Sequence, residues 1–212
     1  MRIAVLGTGM VGRTLGSALA RLGHDVAMGT RDPEATRSRD DWDLSLPLMA
    51  FDEVAAGADL VVNATYGVAS LAALDAVGGD VLAGKVLLDV ANPLDFSGGF
   101  PPTLTVKDTD SLAEQIQRAF PRTRVVKSLN TVNCEVMVDP KRVGDGQTTM
   151  FLAGEDAEAR AVVRSLLEGF GWEDVIEFED LSVARGMEMW LPLWVRLMGH
   201  LGTGDFNLKI VR

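Results

Sequence analysis

Two apolar patterns alternate along the chain. Short unbroken apolar runs recur at 2–7 (RIAVLG), 25–30 (DVAMGT), 58–65 (ADLVVNAT), 85–92 (KVLLDVAN), 124–130 (RVVKSLN), 148–154 (TTMFLAG) and 174–178 (DVIEF). Runs this short, rich in Val, Leu and Ile and bounded by turn residues, predict buried strands. Between them the apolar residues fall at helical spacing. Met10, Val11, Leu15, Ala18, Leu19 and Leu22 share one face, and Gly23 is the expected stop. The stretches 67–77, 110–120 and 155–170 predict further helices, the second capped by Asp110 or Ser111. Asp32 before Pro33 reads as a cap with proline at the first helical position. Residues 36–46 are polar, and 93–103 (PLDFSGGFPPT) is expected to be an irregular loop.

Strands that are apolar throughout and alternate with helices predict a mostly parallel sheet covered on both faces. Right-handed crossovers make it a doubly wound α/β sheet. Residues 1–178 fit one such domain, and 179–212 form a short C-terminal helical segment. In that segment Leu181, Ala184, Met187, Trp190, Leu191, Trp194, Val195, Leu197 and Met198 spread too widely for one helix face. Burial between subunits, as a homodimer, is the favoured expectation, with burial against this same chain as the alternative. Pro192 should break the helix near Glu188, and Gly199, Gly202 and Gly204 should end it.

Composition narrows the function classes. The 212 residues carry a net charge of −10, which disfavours nucleic acid and anionic membrane as partners. Hydrophobic residues make up 47% of the chain, enough for a core. Cys134 is the single cysteine, so no intrachain disulfide exists, and with no signal-peptide pattern the expectation is a reducing cytoplasm. The apolar stretch 181–201 contains Arg185, Glu188, Pro192 and Arg196 and does not read as a membrane span.

In open parallel sheets, ligands bind beyond the carboxyl ends of the strands. After the first strand stands Gly7-Thr8-Gly9-Met10-Val11-Gly12, a G-x-G-x-x-G that opens a helix. Gly7 serves the tight turn, Gly9 lets backbone approach a pyrophosphate, and Gly12 lets helix and strand pack closely. The helix N-terminus offers free N–H groups to phosphate. The second strand ends in Thr30-Arg31, with no acid placed for a ribose 2′-hydroxyl. A hydroxyl and a guanidinium suit a 2′-phosphate, with Arg37 and Arg39 adding positive field, so NADP(H) is favoured over NAD(H). Later strand ends carry Ala64-Thr65-Tyr66, Ala91-Asn92-Pro93, and Ser128-Leu129-Asn130-Thr131-Val132-Asn133 before Cys134. These groups hydrogen-bond ribose and carboxamide but are poor acids and bases near neutral pH. The sequence offers no Ser-His-Asp set, no metal-binding His cluster and no Tyr-x-x-x-Lys pair, and neither His24 nor His200 lies in a catalytic context. No residue is assigned as catalytic, and no metal is expected. Ketone reduction needs a positioned proton donor, whereas hydride exchange between two ring cofactors depends mainly on face-to-face placement.

The segments GTGMVGRTLGSALARLGHDVAMGTRDP (7–33), VVKSLNT (125–131) and LPLWVRLMGHLGTGDFNLKI (191–210) resemble the NADP-dependent oxidoreductases of the 5-deazaflavin coenzyme F420 and their bacterial dinucleotide-binding relatives. The resemblance spans nearly the whole chain. It implies a Rossmann domain, a small C-terminal part and a homodimer. It implies NADP(H) held by Thr8, Gly9, Met10 and Val11, with Thr30 and Arg31 on the 2′-phosphate. The nicotinamide then lies near Asn130–Cys134, and the deazaflavin co-substrate across from it beside the C-terminal segment. Asn130 and Asn133 stand where the family pattern often has His and Pro, and Ala35 replaces a basic residue. Lys127, Lys141, Arg142, Arg196 and Lys209 are the cations considered for an anionic deazaflavin tail. A reductase of another acceptor (a flavin, quinone, imine or carbonyl) and a non-catalytic NADPH-binding sensor are the alternatives.

Overall fold

The computed structural model describes residues 1–211. Its strands are β1 Arg2–Leu6, β2 Asp25–Thr30, β3 Leu48–Ala50, β4 Leu60–Asn63, β5 Val86–Asp89, β6 Leu94–Asp95, β7 Thr103–Leu104, β8 Arg124–Ser128, β9 Thr149–Ala153 and β10 Asp174–Phe178. The helices are α1 Met10–Arg21, α2 Pro33–Arg37, α3 Phe51–Ala56, α4 Ser70–Val77, α5 Gly79–Leu82, α6 Leu112–Ala119, α7 Cys134–Val138, α8 Ala157–Phe170, α9 Ala184–Met189 and α10 Leu191–Leu201. The main sheet has eight strands in the order β10-β9-β8-β5-β4-β1-β2-β3. From β3 to β8 every pair is parallel, as the unbroken apolar runs predict. β8 and β9 pair antiparallel, so β9 and β10 extend the parallel body in the reverse direction.

The strand period of two divides the core. Ile3 and Val5 of β1 join the layer containing Leu15 and Leu19 of α1 and Leu166 of α8. Ala4 and Leu6 join the opposite layer, with Val54 of α3, Leu74 of α4 and Ile116 of α6. Both faces of the sheet are therefore covered by helix, which defines a doubly wound α/β fold.

Local chemistry sets the helix ends. Asp32 caps α2 through Ala35 N at 2.9 Å, with Pro33 at the first position. Ser111, not Asp110, caps α6 through Glu114 N at 3.1 Å. The loop after Pro93 forms the two-residue ladder of β6 and β7. α3 and α7 have no counterpart in the sequence reading because each is only a turn or so long.

In the tail, α9 ends at Met189 and α10 begins at Leu191, with Pro192 in its first turn where a missing N–H costs nothing. Gly199 lies inside α10, and Gly202, at φ 69°, ends it. Leu181, Ala184, Met187, Leu191 and Val195 are buried within this same chain, so in-chain packing accounts for them without a second subunit. Met189, Leu193 and Leu201 remain exposed. Among the described residues no helix is long and apolar enough to cross a membrane.

Candidate functional site

Two cavities of about 630 and about 610 Å³ lie at the carboxyl ends of the parallel strands. They share Gly9, Ala64, Thr65 and Tyr66 and so form one crevice with two ends. The Tyr66 ring stands between the ends, and its hydroxyl donates to Leu94 O at 2.9 Å.

The first end is built on the glycine loop. Gly7 has φ 112°, and a Cβ there would lie 2.4 Å from Ala64 O. A Cβ on Gly12 would lie 2.0 Å from Gly7 O, so this glycine lets α1 close against the loop. A Cβ on Gly9 would meet no protein atom within 4 Å. The protein therefore does not need a glycine at position 9 for its own packing, and the open space faces both cavities. Gly9 is also the N-cap of α1, with no side-chain cap and no acid in the first turn, so the helix presents free N–H groups there.

Thr30 and Arg31 line this end with Thr8 and Arg39. Thr36 Oγ1 donates to Asp32 O at 2.8 Å, so in the 2.9 Å contact between Thr30 and Thr36 the proton comes from Thr30. Thr30 must rotate to donate elsewhere. Arg31 is exposed and has no protein partner among the described residues. Arg39 donates to Thr8 Oγ1 at 3.0 Å and to Asp41 at 2.8 and 2.7 Å. The Asp41 carboxylate lies below its ordinary range because of that bond to Arg39. Arg37 instead donates to Leu48 O, away from the cavity.

The other end is mostly apolar. Val90, Val132, Met137, Leu191, Trp194 and Met198 line it, and Glu135 is the one formally charged residue among its described lining. Asn92 and Asn130 form a reciprocal pair: Asn130 Nδ2 donates to Asn92 Oδ1, and Asn92 Nδ2 to Asn130 O, each at 2.9 Å. Asn130 Nδ2 also donates to Met187 O at 3.1 Å. These two acceptors fix the amide orientation and leave Asn130 Oδ1 buried without a partner. Such an orphan acceptor costs about 1–3 kcal/mol unless a ligand satisfies it. Trp194 Nε1 is a second buried orphan, a donor. The preceding Leu129 holds φ 64°, an unusual conformation for a non-glycine residue, where the chain turns from β8 into this loop.

Of the sequence-derived site residues, Gly7, Thr8, Gly9, Met10, Val11, Thr30, Arg31, Ala64, Thr65, Tyr66, Asn92, Asn130 and Cys134 line the crevice. Gly12, Pro93 and Thr131 do not. Gly12 packs against the loop, and Thr131 is buried and accepts Trp190 Nε1 at 3.0 Å. Cys134 is 5% exposed, as a small buried side chain should be. Lys127, considered as a cation for the anionic tail, is fully buried and paired with Asp89 and Glu188, so it offers nothing to such a tail. Arg142 and Lys209 are taken by Asp205 and Asp174. Sequence reading missed Leu191, Trp194 and Met198 as lining, although their spacing of three and four residues marks one helix face.

A doubly wound sheet with a glycine loop, free helix N–H groups and a two-ended crevice defines a dinucleotide-binding protein. Comparison with known proteins then narrows the class. Residues 2–93 match the family model of the coenzyme F420-dependent NADP oxidoreductases. A solved structure from Arthrobacter sp. FB24, a candidate F420-dependent NADP-reductase, is 57% identical, covers 100% of both chains and superposes with a TM-score of 0.97. The F420-dependent NADP reductase of Methanothermobacter marburgensis is 29% identical over 211 residues, covering 93% of this chain and 92% of that one. The metalloreductase STEAP3 of Rattus norvegicus is 27% identical over 197 residues; 91% of this chain matches, but only 38% of that longer protein is covered. The chain belongs to the F420-dependent NADP oxidoreductase family and is an NADP-dependent oxidoreductase.

Proposed function

We propose that the protein transfers a hydride between NADP(H) and a 5-deazaflavin of the F420 type. The observation that carries this reading is the contrast within the crevice: arginines and free N–H groups at one end, apolar walls and amides at the other. Thr8, Gly9, Met10 and Val11 receive the pyrophosphate at the start of α1, supported by Gly7 and Gly12. Arg31 pairs with the 2′-phosphate, assisted by Thr30 once it releases Thr36. Ala64, Thr65 and Tyr66 border the ribose. Asn92, Asn130 and Cys134 form the nicotinamide surround, with Pro93 and Thr131 behind it outside the cavity lining, and the orphan Asn130 Oδ1 accepts from a carboxamide N–H. The cofactor, when bound, supplies the hydride. The chain's own groups bind, orient and exclude water, and none is positioned as an acid or base.

Residues 1–178 act as the NADP-binding domain, and 179–212 as the acceptor wall. Two copies pair through the exposed Met189, Leu193 and Leu201. The single cysteine and acidic surface suit a cytoplasmic setting.

The test follows the visible absorbance of oxidised deazaflavin mixed with protein and NADPH, with NADH as the control. Loss of the band selective for NADPH supports the reading. Intact NADPH binding without loss of the band overturns the deazaflavin as acceptor. One observation favours a second reading, a reductase of an uncharged acceptor: the described lining of the ring end contains no Lys or Arg to meet an acidic tail.

A further inference from the structure

Three charged side chains are shut away beneath the ring end of the crevice. Lys127 of β8 and Asp89 at the end of β5 have no exposure, and Glu188 of α9 has 1%. Lys127 Nζ lies 2.7 Å from Asp89 Oδ2 and 2.9 Å from Glu188 Oε1. Two carboxylates face one ammonium, and the balance comes from helix α6. Glu188 Oε2 accepts Leu112 N at 2.8 Å, and Oε1 accepts Ala113 N at 3.2 Å. Burial is the strongest influence on Glu188 and raises its carboxyl above the ordinary range, with Lys127 pulling the other way.

Buried ion pairs are weak devices for stability alone, because desolvation cancels much of the attraction. Position explains this one better. Lys127 Nζ donates to Ala91 O at 2.5 Å, and Asp89 Oδ1 accepts Ala91 N at 3.2 Å, so both peptide groups of Ala91, a lining residue, are clamped. Glu188 follows Met187, whose carbonyl holds Asn130, and stands just before the break from which α10 starts. The two walls of the ring end, Ala91–Asn92–Asn130 and Leu191–Trp194–Met198, are thus joined through Glu188 and Lys127.

We infer that Glu188 is a positioning residue for hydride transfer: through Lys127 and the α6 N-terminus it sets the gap between the cofactor wall and the acceptor wall. The inference rests on the proposed placement of the two rings, and it makes no claim on the adenosine end. Transfer rate falls steeply with small misplacement, about 100-fold for an ångström.

The test compares wild type, Glu188→Gln and Glu188→Asp. Gln keeps the size but loses the charge opposite Lys127; Asp keeps the charge but draws the pivot inward by one methylene. The expected result for each folded variant is NADPH affinity within about twofold of wild type and single-turnover oxidation of NADPH slowed about 10- to 100-fold. Quenching of tryptophan emission by bound NADPH is also expected to weaken, because Trp190 and Trp194 follow the pivot and Trp194 lines the ring end. If Gln does not fold, Asp decides. Wild-type rate and quenching in a folded variant overturn the inference, as does an equal loss of affinity and rate. If the wild type itself leaves deazaflavin unreduced, the acceptor reading fails on its own, and the quenching comparison, which needs no acceptor, still judges Glu188.

Discussion

The two ends of the crevice are built from opposite materials. The end proposed for the adenosine has solvent-exposed cations: Arg31 is exposed, and Arg39 is shared between Thr8 and Asp41. The ring end has fixed groups: a reciprocal asparagine pair, an aromatic stack of Trp194 on Phe206 at 5.3 Å, and ions locked below the surface. Exposed charges fit an anion that arrives from water and must be recognised by charge. A fixed, uncharged surround fits a reaction whose rate depends on where two rings sit. On the proposed placement of the cofactor, affinity and selectivity belong to one end and rate to the other, and substitutions should separate them.

The largest effects are expected in the glycine loop that serves both ends. An alanine at Gly12 drives its Cβ into Gly7 O, and backbone cannot yield as a side-chain tip can. Gly12→Ala is expected to lower the melting temperature by at least about 5 °C and to abolish measurable NADPH binding. Gly9→Ala meets nothing in the protein. It is expected to melt within about 1 °C of wild type while NADPH binding weakens 10-fold or more, by about the loss of one charge-assisted hydrogen bond. Parallel loss of stability in both variants, read by calorimetry, would show that position 9 serves the fold and not the ligand.

Arg31→Ala comes next and isolates the adenosine end. NADPH affinity should fall about 10- to 100-fold, NADH affinity should barely change, and the limiting rate should hold. Equal loss for both cofactors would remove the 2′-phosphate from this end. Trp194→Ala is the mirror experiment. The rate is expected to fall about 10-fold or more, with NADPH affinity changed less than about threefold. A fall in affinity with no fall in rate would erase the division between the ends.

The sequence revealed the adenosine end more readily than the ring end, for a physical reason. Phosphate recognition is local: Gly7, Gly9 and Gly12 lie within one turn, and Thr30-Arg31 closes the neighbouring strand, so spacing alone exposes the chemistry. The alternating apolar runs likewise marked the seven longer strands, because a strand buried on both faces has no polar face to hide it. The ring end is assembled from residues far apart. Asn130 meets Met187 across 57 positions, and Glu188 meets Leu112 across 76. No local pattern announces such partners, and Lys127 therefore reads as a cation for an anionic tail rather than as part of a buried ion pair. The tail was half legible: its helix break at Pro192 follows from a missing N–H, but whether Leu191 and Val195 meet this chain or another is a tertiary fact.

The smallest expected effect concerns how acid loosens the tail that walls the ring end. Two surface clasps hold it: Arg185 donates to Glu114 at 2.9 Å, and Asp205 accepts from Asn133 and Arg142, each at 3.0 Å. The bond from Arg185 holds the Glu114 carboxyl below its usual range, and the Asn133 amide does the same for Asp205, with Arg142 adding to it. A carboxyl lowered in the folded state contributes stability above its unfolded value, about 4, and that contribution disappears as pH falls through the folded value. Acid should therefore release the tail; at the Arg31 end it removes only the exposed Asp41 partner of Arg39, while the backbone N–H groups and Arg31 are untouched. The readout is tryptophan emission against pH in a chain whose other two tryptophans, Trp42 and Trp172, are replaced by Phe, so that Trp190 and Trp194 report, with a red shift expected below about pH 4. Arg185→Ala should shift the melting temperature by less than about 2 °C, as a partly exposed pair warrants, and should raise the pH at which emission moves. An emission profile unchanged by that substitution would assign the acid response to the sheet rather than to the tail, and the ring end would lose its claim to be the more readily displaced of the two.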